Sequence, residues 1–176
     1  IPDTNLAAIN TLLLNPDCEI ASEAIETLVH VADTWPDAAV VAPQLLKGHG
    51  TPTLDINYRW PTDTWAPKGP GAEGPACVGF LCGAAMLWRI SAFEGVGFFD
   101  PRFFLYYEDD DLCLRLFKAR RSMLIAPEAE ARHHARRSVR GGVGWRHEFE
   151  RGYHHAQSKL TFMAKHRSLV AARHTR

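Results

Sequence analysis

The chain has 176 residues, of which 46% are hydrophobic and 23% are charged, and its formal net charge is zero. This composition suits one soluble globular domain with a sizeable core. The lack of a basic excess argues against a nucleic-acid-binding protein, and the apolar stretches fall short of the roughly 20 residues that span a bilayer. The four cysteines have no Cys-x-x-Cys spacing, so we expect reduced, mostly buried thiols in a cytoplasmic protein.

The chain from residue 11 to residue 43 predicts a strand, a helix and a second strand. Residues 11–14 form a short apolar run that is typical of a buried strand, and residues 38–42 form another, closed by Pro43. Between them, Ser22 is the predicted N-cap of a helix that continues to about residue 34. This order is typical of a βαβ unit in a parallel sheet, which binds ligands at the carboxyl ends of its strands.

The polar triplet Asn15-Pro16-Asp17 directly follows the first predicted strand. Because proline cannot continue a central strand, we expect the strand to stop here and the two polar side chains to project from its carboxyl end. Asn-Pro-Asp is also a good turn sequence by itself, so a plain turn remains the alternative interpretation.

Four consecutive acids, at residues 108–111, directly follow the aromatic segment at residues 103–107. We expect burial of Phe103, Phe104, Tyr106 and Tyr107 to fix the chain, so that the acids lie on the wall of a site. The acids then open a helix with an apolar face. A simple N-cap is the alternative, but a cap uses only one or two acids.

Three further segments complete the prediction. Residues 77–88 are apolar and contain two glycines, which indicates either a close backbone approach to a ligand or plain core packing. Residues 123–127 predict a short strand. The tail from Trp145 onward predicts a helix that docks on the domain or meets a partner or membrane surface. Its predicted apolar stripe is Phe149, Tyr153, Ala156, Leu160 and Met163.

Several of these segments, in this order, form a recognisable series. They are Leu-Asn-Pro-Asp (14–17), Val-Ala-Pro-Gln-Leu (41–45), Gly-Ala-Ala-Met-Leu-Trp-Arg (83–89), Phe-Glu-Gly-Val-Gly-Phe-Phe-Asp (93–100), the aromatic and acidic segment at 103–115, and His133-His134 with Ser138. The series resembles inverting glycosyltransferases of family 2 with the GT-A fold, and most of all the bacterial rhamnosyltransferase-type branch.

The resemblance implies an α/β, Rossmann-like GT-A fold with a mostly parallel central sheet flanked by helices. Residues 1–144 then form a partial GT-A core, and residues 145–176 form a C-terminal helical segment. Relatives of this type have a nucleoside-binding strand and loop well ahead of the Asn-Pro-Asp position, whereas fourteen residues precede Asn15 here. The resemblance therefore implies a core that is incomplete at its N-terminus.

By resemblance, Asp109 is the general base that deprotonates the acceptor hydroxyl, and Glu108 positions the acceptor or tunes that base. Asp111 is expected to be a helix-capping or structural acid. Asn15-Pro16-Asp17 resembles the Asp-x-Asp motif of the family, with asparagine in place of the first acid. Asp17 is therefore expected to bind Mg²⁺ or Mn²⁺ on the leaving diphosphate, with Asn15 beside it.

His133 or His134 is expected to approach the metal or the diphosphate, and Arg136, Arg137 and Arg140 are close enough in sequence to contact phosphate. The alternatives are an ordinary structural histidine pair and ordinary solvated arginines. Both sets of residues follow the last predicted strand.

The implied activity is transfer of a sugar from a nucleotide-diphosphate sugar to a saccharide or lipid-linked saccharide, with inversion, in synthesis of bacterial cell-surface polysaccharide. The implied location is the cytoplasm, with contact at the inner face of the membrane left open. Two other functions compete with this one. The chain is alternatively a non-catalytic GT-A remnant that binds a partner, or a metal-dependent hydrolase using Asp17, Glu108, Asp109 and the histidines.

Overall fold

The computed structural model of the protein describes residues 10–48, 50–52, 71–134 and 144–173. Its strands are β1 (Asn10–Leu14), β2 (Cys18–Ile20), β3 (Ala38–Lys47), β4 (Ala76–Cys77), β5 (Ala85–Arg89) and β6 (Ser122–His133). Its helices are α1 (Ser22–Thr34), α2 (Glu108–Lys118), α3 (Trp145–His166) and α4 (Leu169–Arg173), with a short 3-10 helix at Ile90–Phe93. The chain is therefore α/β, as predicted.

The sheet is mixed, so the prediction of a mostly parallel sheet is wrong. Its strands lie in the order β1-β5-β3-β6-β2, and β4 also pairs with β6. The β3–β6 pair is parallel, whereas the other described pairs are antiparallel. An apolar run indicates that a strand is buried, but it does not indicate the direction or the neighbours of that strand.

Three strands nevertheless share one direction. Because β1 and β3 are both antiparallel to β5, they run the same way, and β6 runs parallel to β3. The carboxyl ends of β1, β3 and β6 therefore lie at one edge of the sheet, where β5 begins. We call this edge the carboxyl edge. Among the described strands, β1 is at the end of the strand order and pairs only with β5.

Strand β3 continues past Pro43 to Lys47, so the predicted end at Pro43 is wrong. The pairing with β6 changes register at this point: Pro43 lies opposite Ala126, and Gln44 lies opposite Glu130. Proline lacks the N–H that a regular ladder requires, and this irregularity accommodates it within a longer strand. The strand predicted at 123–127 is likewise only the first part of β6.

The sheet is covered on both faces, and alternation along its strands divides the core. Val41, Leu87 and Leu124 pack with the buried residues of α1, which are Leu28, Val31 and Ala32. Their neighbours in the same strands pack on the other face, with Leu112, Cys113 and Leu116 of α2. This period of two is the expected consequence of side chains alternating across a sheet.

Helix α1 has the predicted extent, but its N-terminus differs from the prediction by one residue. Ser22 is the first helical residue and Ala21 holds the N-cap position, where no side chain caps the helix. The Ser22 hydroxyl instead donates to a carboxylate oxygen of Glu23 at 3.2 Å. Burial of the apolar face, rather than a cap, therefore accounts for the position of α1.

Helix α3 begins at Trp145, as the sequence predicts, but the predicted docking stripe is only partly correct. Phe149 and Tyr153 are exposed, by 68% and 51%, and Ala156 is exposed as well, whereas Leu160 and Met163 are half-buried. The described ring contacts, hydrogen bonds and ion pairs with the domain come from another face, which we call the inner face of α3. It consists of His154, His155, Ser158, Phe162, Lys165 and His166.

The inner face is mostly polar or aromatic, and a search for aliphatic periodicity therefore does not find it. Within the residues that the structure describes, no helix combines the length and apolar character that crossing a membrane requires.

Candidate active site at the carboxyl edge

The triplet after β1 forms a turn at the carboxyl edge, which confirms that the strand stops here, whereas metal binding by Asp17 stays a prediction. The Cys18 amide donates to the Asn15 carbonyl at 3.0 Å and closes the turn around Pro16. The Asn15 amide donates to the Ala84 carbonyl at 2.9 Å, which ties the turn to the start of β5. The turn delivers the chain directly into β2.

Asp17 meets His133 because β2 runs antiparallel to the end of β6, with Cys18 opposite His133. The Nε2 atom of His133 lies 3.4 Å from Oδ1 of Asp17. The backbone amide of His134 donates to the Asp17 carbonyl at 2.9 Å. Residues that are far apart in sequence are thus brought together by strand pairing.

The two histidines have different surroundings. The Nε2 atom of His134 is buried and lies 3.1 Å from Oε1 of Glu19, without the geometry of a hydrogen bond. His133, rather than His134, therefore shares the space beside the Asp17 carboxylate. Cys18 lies next to these residues, but burial and the nearby acids raise the pKa of its thiol to about 11, so the thiol stays protonated.

Asp17 and His133 offer one carboxylate oxygen and one imidazole nitrogen to a metal ion. No group of three or more His, Cys, Asp or Glu side chains capable of holding a metal occurs within the described ranges. A small set of protein ligands fits Mg²⁺ or Mn²⁺ that is bound mainly through substrate phosphates.

Asp109 lies in the first turn of α2 and is held by two backbone amides. Its Oδ2 accepts the Gly83 amide at 3.1 Å, and its Oδ1 accepts the Asp110 amide at 3.0 Å. Burial nevertheless raises the pKa of the Asp109 carboxyl above its ordinary value. A carboxylate that is both fixed in position and more basic than usual is suited to accept a proton.

The start of β5 connects the two halves of the predicted site. Gly83 donates its amide to Asp109, while the carbonyl of the next residue, Ala84, accepts the amide of Asn15. A Cβ at Gly83 would lie 3.5 Å from Cβ of Asp109, which is an ordinary van der Waals distance, so this contact does not by itself require glycine.

Glu108 has a carboxylate oxygen without a described partner. Its Oε2 is buried and accepts no hydrogen bond from the described part of the chain. Burial raises the pKa of Glu108, and the neighbouring charge of Asp109 adds to the effect. A buried acceptor without a donor is costly, so this oxygen is suited to a hydroxyl or amide donor of a ligand.

Asp111 is a structural acid, as predicted. It is completely buried and lies 2.6 Å from Nζ of Lys165, 2.7 Å from Nε2 of His166 and 2.8 Å from Nε of Arg115. Burial alone would raise the pKa of Asp111, but the hydrogen bonds from these three residues outweigh it and hold the pKa below its ordinary value. Asp111 therefore anchors α3 to α2.

The aromatic segment in front of the acids is only partly buried. Phe103 is buried and Tyr106 and Tyr107 are half-buried, but Phe104 is 80% exposed and lies against the ring of His154. The prediction that all four rings are buried is therefore wrong at Phe104. Aromatic residues before the acids indicated a fixed segment, but no local pattern indicates which of the rings face inward.

Arg136, Arg137 and Arg140 lie outside the described residues, so their expected phosphate contacts stay predictions. Two grooves, of about 540 and 460 Å³, lie at the opposite edge of the sheet around Ser122, where β6 begins. Ser122 begins β6 and His133 ends it, so the grooves lie at the opposite end of this strand from His133.

The curated proteins similar to this chain include glycosyltransferases from three organisms. The N-acetylglucosaminyl-diphospho-decaprenol L-rhamnosyltransferase of Mycobacterium tuberculosis is 33% identical over 148 residues, which cover 73% of this chain and 48% of that protein. The low-salt glycan biosynthesis hexosyltransferase Agl10 of Haloferax volcanii is 30% identical over 117 residues, which cover 60% of this chain and 36% of that protein.

The rhamnosyltransferase WbbL of Escherichia coli is 34% identical over 93 residues, which cover 52% of this chain and 33% of that protein. No family model matches the chain. The chain spans about half the length of the Mycobacterium tuberculosis relative. These similarities support a relationship between this chain and glycosyltransferases that act in glycan synthesis.

Proposed function

We propose that this chain is the acceptor-side part of an inverting glycosyltransferase of family 2 with the GT-A fold. The substrates are a nucleotide-diphosphate sugar and a hydroxyl group of a saccharide or lipid-linked saccharide. The observation that carries the proposal is the placement of Asp109: a half-buried carboxylate with a raised pKa, which accepts a hydrogen bond from the Gly83 amide at the carboxyl edge of the sheet. Ligands in open α/β sheets bind at this edge.

Inversion requires one displacement with a base on the acceptor side. Asp109 removes the proton of the acceptor hydroxyl as its oxygen forms a bond to the anomeric carbon. The bond between that carbon and the diphosphate oxygen breaks, and the diphosphate leaves with the electron pair. The buried Oε2 of Glu108 accepts a second hydrogen bond from the acceptor and orients it, which is supported by its lack of a described partner.

Asp17 and His133 are the residues that would hold Mg²⁺ or Mn²⁺ in this function. When bound, the metal neutralises charge on the leaving diphosphate. Asn15 fixes the turn that presents Asp17, through its backbone bond to Ala84. Arg136 and Arg137 are proposed to contact the phosphates, as their sequence positions suggest.

The chemical class of the acceptor also indicates where in the cell the protein works. The name of the Mycobacterium tuberculosis relative includes a diphospho-decaprenol-linked sugar. By analogy, we propose that this protein works in the cytoplasm, at the inner face of the membrane, on a lipid-linked saccharide of a cell-surface polysaccharide. The exposed aromatic ring of Trp145 is suited to the interfacial region of a bilayer.

A screen of nucleotide sugars tests this proposal on the full-length natural protein. We expect one nucleotide-diphosphate sugar to raise the melting temperature in the presence of Mn²⁺, and the same sugar to be transferred to an acceptor. Asp109→Asn is the matched variant: it is expected to keep the thermal shift and lose transfer. Stabilisation without transfer by the wild-type protein would instead support a non-catalytic binding module.

A further inference from the structure

The two residues immediately before the acids have a strained backbone. Tyr106 and Tyr107 have φ angles of 67° and 65°, in the left-handed region that bulky side chains rarely adopt. Tyr107 is also the N-cap of α2, directly before Glu108 and Asp109. A strained conformation of this kind persists only where the surrounding structure holds it, and such strain is concentrated at functional sites.

The inner face of α3 supplies the contacts that hold this pair. The Ser158 hydroxyl donates to the Leu105 carbonyl at 2.8 Å, directly before the strained residues. The ring of His155 lies 5.5 Å from that of Tyr106 and 5.4 Å from that of Tyr107. The ring of Phe162 lies 5.4 Å from that of Tyr107 on its other flank.

The same face also holds the chain just after the acids. Lys165 and His166 both contact Oδ1 of Asp111, and the Lys165 ammonium also contacts Asp100 at 2.7 Å. Helix α3 therefore contacts the segment on both sides of Glu108 and Asp109. The Asp109 carboxylate itself accepts hydrogen bonds from the backbone amides of Gly83 and Asp110.

We propose that α3 holds the strained Tyr106–Tyr107 pair and thereby sets the position of Glu108 and Asp109, with Ser158 and Phe162 as positioning residues. The catalytic part of this inference depends on the proposed function; the conformational part does not. Without the contacts from α3, the pair relaxes toward an ordinary φ, and the start of α2 moves away from the Gly83 amide. A shift of about 1 Å at a reacting group lowers turnover by about 10²-fold.

A pair of phenylalanine variants on opposite faces of α3 tests the inference. Phe162→Ala removes the ring against Tyr107, while Phe149→Ala removes an exposed ring from the same helix. We expect Phe162→Ala to lower kcat by about 10- to 100-fold with little change in the KM for the donor. Phe149→Ala is expected to retain wild-type kcat.

Hydrogen exchange gives a readout that does not require activity. We expect the amides of residues 105–111 to exchange faster in Phe162→Ala than in Phe149→Ala, and those of β3 to stay protected in both. Ser158→Ala, which loses only one hydroxyl, is the milder variant to use if Phe162→Ala does not fold. Ser158→Ala is also expected to raise the exchange rates of the amides of residues 105–111.

A rescue separates strain from general destabilisation. Asparagine tolerates a positive φ better than tyrosine does, so Tyr106→Asn removes part of the strain that α3 must hold. We expect it to raise the kcat of Phe162→Ala several-fold. Equal exchange and equal kcat in Phe162→Ala and Phe149→Ala would overturn the inference. Faster exchange in a protein without transferase activity would support the conformational part and refute the proposed function.

Discussion

Asp109 has two properties that oppose each other in the folded protein. Two amides favour its charged form, but burial raises its pKa, so the charge that its proposed role as a base requires costs stability. We expect Asp109→Asn to lower turnover by about 10²- to 10⁴-fold with donor affinity nearly preserved. Steady-state kinetics and donor titration check this, with the exposed α1 residue Asp33 changed to Asn as the control. Wild-type turnover in Asp109→Asn would show that another group is the base.

The same residue predicts an unusual pH dependence of stability. A folded-state pKa above the unfolded value means that Asp109 stabilises the fold most below its ordinary pKa of 3.8, and less as the pH rises through the folded value. Asp109→Asn is therefore expected to match wild type in acid and to become relatively more stable toward neutral pH. Urea unfolding at several pH values measures this difference. A variant less stable than wild type at neutral pH would contradict it.

Asp17 and His133 are expected to act together on the metal, and His134 is not. Asp17→Ala should weaken Mn²⁺-dependent binding of a nucleoside diphosphate, because it removes the carboxylate of the pair. His133→Ala should weaken the binding in the same direction, whereas His134→Ala, beside Glu19, should have a smaller effect. Isothermal calorimetry with and without Mn²⁺ provides the test. An unchanged Mn²⁺-dependent affinity in Asp17→Ala would exclude its assignment.

At the scale of elements, the ion cluster around Asp111 joins α2 to α3. Removing one partner from a buried ion network leaves the other charges unpaired, which typically costs about 3–5 kcal/mol. We expect Asp111→Ala to lower the free energy of unfolding by about this amount, and the exposed Asp33→Ala to change it by less than about 0.5 kcal/mol. Chemical denaturation measures both. A small effect of Asp111→Ala would mean that the contacts with α3 are weak.

Element positions were predictable where burial produces a regular pattern. The apolar run at the start of β3 and the apolar face of α1 indicated both elements from the sequence, and the acids correctly marked the start of α2. The strand directions were not predictable, because an apolar run is the same in either direction. The inner face of α3 was missed because its contacts come from Ser158, Lys165 and histidines, which a search for apolar periodicity passes over.

For the site as well, local sequence patterns indicated single residues, whereas the contacts between those residues depend on long-range strand pairing. The prediction named Asp17, His133 and Asp109 separately, and the structure pairs the first two with each other. The link through Gly83 and Ala84 depends on strand pairing between β1 and β5, which no local pattern indicates. The positive φ of the tyrosines had no sequence signal either, because glycine or asparagine normally marks such positions.

At the scale of the whole molecule, the carboxyl edge gathers every described residue that the sequence proposed for the site. Asn15 and Asp17 follow β1, and His133 ends β6. The Asp109 carboxylate accepts a hydrogen bond from the amide of Gly83, just before the start of β5. The chain spans about half the length of the Mycobacterium tuberculosis relative, so transfer must be assayed on the full-length natural protein. The proposed function makes a definite prediction about stereochemistry, because one base opposite the leaving group would allow a single displacement.

The anomeric configuration of the first transfer product is the measurement that tests the central claim most directly. Proton NMR of the product, recorded early in the reaction with an α- or β-configured nucleotide-diphosphate sugar, reports the configuration of the new bond. We predict the opposite configuration to that of the donor, and no product from Asp109→Asn beyond about 1% of the wild-type rate. A product with the configuration of the donor, or one formed at the wild-type rate without the Asp109 carboxylate, would contradict single displacement with Asp109 as the base.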